Sequence, residues 1–253
     1  MNERPILIQG AMQSEIDWLI GEFGLGSISV HGGFVFYEGE YRSQPIVVSK
    51  TKMGEVAAAI ATTLGIEYYH PAWIVNQGTA GALCPTLRTG DVIVGTGVRY
   101  FSQYAERPSR DQDPLNPWKS NGYRTFDGEE ISMETDARLL SWIGSVTPPA
   151  EMRVHFERLG SGDVWSVDRA EIERRHALTG AVSESMECVG AYLAANAAGV
   201  ALCSVRVISN NELLGEPYCP ESGEVAERFV KHLVDAWIDL GRDKPFSLKC
   251  KEG

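Results

Sequence analysis

Residues 181–210, AVSESMECVGAYLAANAAGVALCSVRVISN, decide the fold of this chain. The stretch opens on a strand-like run at 181–186 and passes through an Ala-rich, proline-free segment at 187–198. It then crosses Gly199 and ends in β-prone residues at 200–208. From Cys188 to Val205 there is no charged residue across 18 positions, the lower edge of the roughly 17–25 residues a membrane span needs. Asn196 and Gly199 interrupt it, and the change from Ala-rich to β-branched composition predicts a buried helix running into a buried strand. The alternation extends outward. Strands are expected at 5–9, 72–76, 91–99 and 153–159, with helices at 54–69, 134–144, 168–177 and 222–240. Ile16, Leu19, Ile20 and Phe23 fall on one face of a further helix, and two β-rich runs within 34–50, divided by EGEYRSQP, predict a hairpin. Strands alternating with helices imply an α/β protein with a mainly parallel sheet covered on both faces. Residues 100–130, with Pro108, Pro114 and Pro117 and little apolar periodicity, read as a surface excursion. No linker or repeat divides the chain, so residues 1–253 are expected to form one domain.

The 253 residues are 43 % hydrophobic, with 23 Lys and Arg against 34 Asp and Glu, a net charge of -11. That balance repels phosphate backbones and anionic lipid, which argues against nucleic acid and membrane partners. A small nucleoside is not excluded, because a pocket is set by local groups. Cys84, Cys188, Cys203, Cys219 and Cys250 are odd in number, with no C-x-x-C pair, and suit a reducing, cytoplasmic setting. The opening MNERPILIQG lacks an apolar signal-peptide core. With neither a ligand cluster nor a dinucleotide fingerprint, no metal and no cofactor is expected.

Ligands of parallel α/β sheets sit beyond the carboxyl ends of the strands. Five segments there are unusual: GAMQSE (10–15), NQGTAGAL (76–83), GSGDVWS (160–166), ESME (184–187) and RVISNNE (206–212). In this order and spacing, from Ile6 to about Asn211, they resemble the nucleoside phosphorylase and nucleosidase superfamily, and within it the 5′-methylthioadenosine/S-adenosylhomocysteine nucleosidases. The resemblance implies a three-layer α/β sandwich around a mixed, partly closed sheet. It also implies a homodimer whose partner completes the 5′ end of the pocket.

Breaking a purine N-glycosidic bond builds positive charge on the ribose and negative charge on the departing base. A site must therefore orient water, hold the sugar and assist the base. The resemblance gives these tasks to particular residues. Glu15 would orient the attacking water; taken alone, it reads as a surface charge at a helix N-terminus, worth about 0.3–1 kcal/mol. Glu187 would accept both ribose hydroxyls, a bidentate match of two oxygens to two donors, with Met186 against the sugar face. The plain alternatives are a helix-end charge and core filling. Thr79, in a Gly-rich loop, would lie near the sugar and water, and Trp165 would stack on the purine unless it is a core tryptophan. Asn210 would hydrogen-bond to the base, positioned by Arg206 and Ser209. Asn76 stands where related phosphorylases carry an arginine for phosphate, which favours water as the nucleophile.

Three departures bear on the reaction. The family motif RAISD reads RVISN here, and the amide of Asn210 cannot release a proton as the aspartate can. That leaves the base open between adenine and a 6-oxopurine, with Glu212 a nearby carboxyl. Lys52, in KTKMGE, replaces the usual glycine and keeps phosphorolysis as an alternative. The excursion carries Tyr100, Phe101, Tyr104 and Trp118, which suit either closure over a 5′ substituent or an oligomer contact. The expected activity is cofactor-free hydrolysis of a purine nucleoside. The alternatives are a phosphorylase and a nucleoside-binding or storage protein with little turnover.

Overall fold

The computed structural model describes residues 3–101 and 133–241. One nine-stranded mixed sheet runs through them in the order β2-β3-β4-β1-β5-β8-β7-β6-β9, and β5 also pairs with β9, so strands β5 to β9 close on themselves. The strands are β1 (Ile6–Gly10), β2 (Ser27–His31), β3 (Phe34–Tyr41), β4 (Gln44–Lys50), β5 (Trp73–Ala82), β6 (Val92–Tyr100), β7 (Val154–Ser161), β8 (Ser183–Ser185) and β9 (Leu202–Asn210). The helices are α1 (Asp17–Glu22), α2 (Glu55–Tyr69), α3 (Ala137–Ser145), α4 (Arg169–Thr179), α5 (Cys188–Ala198) and α6 (Ser222–Asp239), with a 3-10 turn over Gln13–Glu15.

Alternation along each strand sends side chains to opposite faces, and this builds two cores. Ile6, Ile8, Ile46, Val48, Trp73 and Val75 face α1, α3 and α6, whereas Leu7, Val47 and Ile74 face α2 and α5. The result is three layers. The 181–210 stretch folds as read, with β8, α5 and β9 in sequence. No helix among the described residues is long and apolar enough to cross a membrane.

The sheet is mixed, and most of its pairings, β1–β4, β1–β5, β5–β9, β6–β7 and β7–β8, are parallel, as the alternation implies. β2, β3 and β4 form an antiparallel meander, and β5–β8 and β6–β9 are antiparallel as well. The expected hairpin is β3–β4, turning through Arg42 and Ser43 at φ 51° and 66°, the positive values a tight hairpin needs. The segment 76–83 is strand and not loop, because β5 keeps pairing with β9 as far as Gly81 opposite Asn210. Glu15 closes the 3-10 turn before α1 and is buried, so it is no surface charge at a helix N-terminus. Helix α3 starts after its cap Asp136, later than expected, because residues 133–135 bond to β6 through Val98 and Thr96.

Tyr104 and Trp118 lie outside the described residues. Phe101 points inward: it packs on the Leu83, Ile172 and Ala181 cluster, with the Arg175 guanidinium 4.8 Å from its ring centre.

Candidate active site

The carboxyl ends of β1, β5, β8 and β9 and the segment after β7 open into one cleft. Glu15, Thr79, Trp165, Met186, Glu187, Ser209 and Asn210 all line it.

Glu15 is 4 % exposed. Its Oε2 accepts the backbone N–H groups of Ala11 and Met12 at 3.0 and 3.1 Å. Its Oε1 accepts the Thr79 N–H at 3.0 Å and the Thr79 hydroxyl at 3.3 Å. Gln77 ties the Glu15 carbonyl to β5. Gly78 makes this approach possible, since a Cβ there would stand 2.8 Å from Glu15 Oε1. The Thr79 hydroxyl is a rotor. When it donates elsewhere, Oε1 regains an acceptor position for a water.

Glu187 precedes α5, and its carboxylate reaches three groups. It accepts Gly54 N–H at 3.4 Å and Met186 N–H at 3.2 Å, and it lies 3.7 Å from the Arg206 guanidinium. Burial pushes its carboxyl above the usual range, Arg206 pulls it down, and the Glu15 charge raises it again. The two carboxylates of the cleft are thus electrostatically linked.

Arg206 differs from expectation. It makes no bond to Asn210; Nη1 donates to the Asn76 carbonyl and the Val205 carbonyl, both at 2.9 Å, and Nη2 donates to Asn76 Oδ1 at 2.6 Å. The physical reason is distance along β9, where four residues of extended strand set the two positions about 13 Å apart. Arg206 and Asn76, each 1 % exposed, form a buried pair beneath Glu187. Asn76 therefore engages the arginine, and neither residue lines the cleft. Ser209 meets Asn210 as expected, its hydroxyl donating to Asn210 Oδ1 at 3.1 Å. Asn210 Nδ2 donates to Glu212 Oε1 at 3.3 Å.

Trp165 is 56 % exposed and therefore no core residue. Its ring lies 5.8 Å from that of Tyr218, tilted by 56°, so two aromatic rings flank one end of the cleft. The loop carrying Trp165 is fixed by Glu184, which accepts Ser166 N–H at 2.5 Å and the Ser166 hydroxyl at 3.0 Å, and pairs with Arg175 at 2.7 Å. Sequence reasoning singled out neither Tyr218 nor Glu184. The signal for Glu184 was its place two residues before Met186 on a short strand; Tyr218 lies in a loop with no periodicity to mark it. Lys52 is exposed at φ 63°, with Nζ 4.5 Å from the centre of the Phe34 ring, at a groove beside the cleft.

Residues 5–236 match the model of the Phosphorylase superfamily. The chain belongs to that superfamily. Among its relatives in the superfamily, the 5′-methylthioadenosine/S-adenosylhomocysteine nucleosidase of Psychromonas ingrahamii is 27 % identical over 241 residues, 90 % of this chain and 97 % of the relative. The nucleosidase of Shewanella putrefaciens is 38 % identical over 93 residues, 37 % of this chain and 40 % of the relative. Among solved structures, the futalosine hydrolase of Helicobacter pylori superposes with a TM-score of 0.76 at 24 % identity, covering 92 % of this chain and 98 % of that one. The methylthioadenosine/S-adenosylhomocysteine nucleosidase of the same organism gives 0.74 at 25 % identity, covering 92 % and 100 %. Nucleosidases thus recur among the relatives of this Phosphorylase superfamily member.

Proposed function

We propose that this superfamily member hydrolyses the N-glycosidic bond of a purine nucleoside, without a cofactor, through an oxocarbenium-like transition state. The observation that carries the reading is the convergence of Glu15 and Glu187, 172 positions apart in the chain, on one cleft with Trp165 and Asn210. Glu15, released by rotation of the Thr79 hydroxyl, orients water and takes up its proton. Glu187 accepts the ribose hydroxyls while Met186 covers the sugar face. Trp165 stacks on the base, and Asn210, held by Ser209, donates a hydrogen bond to it. Arg206 offsets part of the repulsion between the two carboxylates.

Water as nucleophile is supported by the lining itself. Among the described residues, the arginine paired with Glu187 is buried against Asn76, and the Lys52 ammonium sits over the Phe34 ring. A homodimer suits the apolar side of α2, where Val56 and Ile60 stand exposed beside Met53 at the mouth of the cleft. A cytoplasmic setting suits the free thiols of Cys84, Cys188 and Cys203.

The test is to incubate the protein with methylthioadenosine, S-adenosylhomocysteine, adenosine and inosine, with and without phosphate, and to separate the free bases. Base release in water alone is expected. Release only with phosphate would make the protein a phosphorylase, and tight binding without release would make it a nucleoside-binding protein.

A further inference from the structure

Helix α5 begins directly after Glu187, and no side chain of its own caps it. The first N–H groups of any α-helix need partners from outside the helix. Here they come from two other elements. Ser161 Oγ, at the end of β7, accepts Cys188 N–H at 3.1 Å. Glu55, the first residue of α2, accepts Gly190 N–H on Oε2 at 2.6 Å, and its Oε1 accepts the Ser161 hydroxyl. The N–H of Glu55 goes to Asp163 Oδ1 at 2.9 Å, while the neighbouring Gly54 N–H reaches Glu187 Oε1 at 3.4 Å. Residues 54 and 55 therefore grip residues 187–190 at two points. The contact requires glycine at position 190, because a Cβ there would collide with the Glu55 carbonyl.

We propose that Glu55 is a positioning residue for Met186 and Glu187: by capping α5 from α2, directly at Gly190 and through Ser161, it fixes the turn from which both side chains enter the cleft. The proposal rests on the sugar-binding role given to that pair above. Glu55 itself is 5 % exposed and does not line the cleft, so it does not touch substrate. The arrangement is costly. Burial pushes the Glu55 carboxyl up to about 7, against the pull of Ser161 and Gly190 and with a further push from Glu187 and Asp163. An amide at this position would accept from Gly190 and donate to Ser161 Oγ without burying a charge. Glu55→Gln therefore keeps the cap, and Glu55→Ala removes it.

The test compares the wild type, Glu55→Ala, Glu55→Gln and Ser161→Ala. It reads calorimetric affinity for adenosine and inosine and for adenine and hypoxanthine, kcat/KM, and amide exchange over residues 186–190. Displacing reacting groups by about 1 Å can cost about 10²-fold. Glu55→Ala is therefore expected to lower kcat/KM by about that factor and to weaken nucleoside binding about tenfold or more. Its affinity for the free base should stay within about twofold, and the amides of Cys188 and Gly190 should lose protection. Glu55→Gln is expected to restore all four readouts to near wild type. Equal losses for nucleoside and base, or unchanged exchange at 186–190, would overturn the proposal. If Glu55→Ala does not fold, Ser161→Ala, which strips the cap from Cys188, carries the same expectations. A wild type that binds no purine nucleoside would instead overturn the hydrolase reading, and the exchange data would still decide whether Glu55 holds the turn.

Discussion

Replacing Asn210 with aspartate should turn a hydrogen-bond donor into a proton donor. The amide now donates from Nδ2 to Glu212 Oε1 at 3.3 Å and accepts from Ser209 at 3.1 Å. A carboxylate in its place would face the Glu212 carboxylate at about the same separation. Two unit charges at that distance repel by about 5 kcal/mol at an effective dielectric of 20. That is more than three decades in proton affinity, at about 1.36 kcal/mol per decade. Glu212 is only partly buried, so solvent screens much of this, but more than one decade survives if about a third remains. The pair then holds a shared proton into mildly acidic pH, poised beside the departing base, as two close carboxyls do. General-acid assistance is typically worth about 10²–10⁴-fold. Asn210→Asp should therefore raise kcat for adenine nucleosides by about 10²-fold at mildly acidic pH, and the gain should fall away as pH rises and the acid ionises, a fall that wild type lacks and that Glu212→Gln shifts to lower pH. Steady-state assays of adenosine, methylthioadenosine and inosine from pH 5 to 9 measure this. Unchanged or lower kcat on every adenine nucleoside, in a variant that still binds them, would refute the reasoning.

Glu15→Gln and Glu187→Gln should each reduce base release by about 10³-fold or more, since one loses the acceptor for water's proton and the other a charged ribose acceptor; near-wild-type rates in either variant, measured by separating free base from nucleoside, would remove that residue's role. Glu227, 1 % exposed, accepts Leu19 N–H at 2.8 Å, and burial pushes its carboxyl up to about 7 from an ordinary 4.5. The folded state thus keeps a proton that the unfolded state has released, so between about pH 4.5 and 7 stability falls as pH rises. Glu227→Gln retains the acceptor and should be more stable than wild type by about 1–3 kcal/mol at pH 8, and about equal to it at pH 4, in urea titrations; an identical difference at both pH values would count against a buried, titrating carboxyl. The wild type is expected to be a dimer in light scattering, and Val56→Asp, on the exposed side of α2, should be a monomer with a raised KM; a variant with wild-type mass and KM would exclude that face as the interface.

Much of the site was legible because its residues follow strands, and the chemistry of a loop after a strand is written locally. GAMQSE, ESME and RVISN each put a side chain into the cleft, but each alone also suits a plain structural role, and it is the order and spacing of the five segments together that points to a site. Trp165 was ambiguous in sequence because an indole suits a core and a ligand face alike, and only its exposure separates the two. Nearness in sequence suggests Arg206 against Asn210, yet about 13 Å of extended strand lies between them, and the guanidinium bonds instead to Asn76, which is 130 positions away. The parallel majority of the sheet follows from strand–helix alternation, a local signal, whereas the antiparallel pairings β5–β8 and β6–β9 are long-range and periodicity does not encode them.

The sequence by itself determined the α/β class, the order of elements and which segments meet at the carboxyl ends of the strands, because period and turn chemistry act over a few residues. The tertiary structure alone decided that Glu15 accepts both donors of Thr79 on β5, that Arg206 and Asn76 are buried together, and that Glu55 caps the helix that follows Glu187. Those contacts join residues between 64 and 135 positions apart. Their strength depends on distance and on the exclusion of water, and both are set only once the three layers have closed.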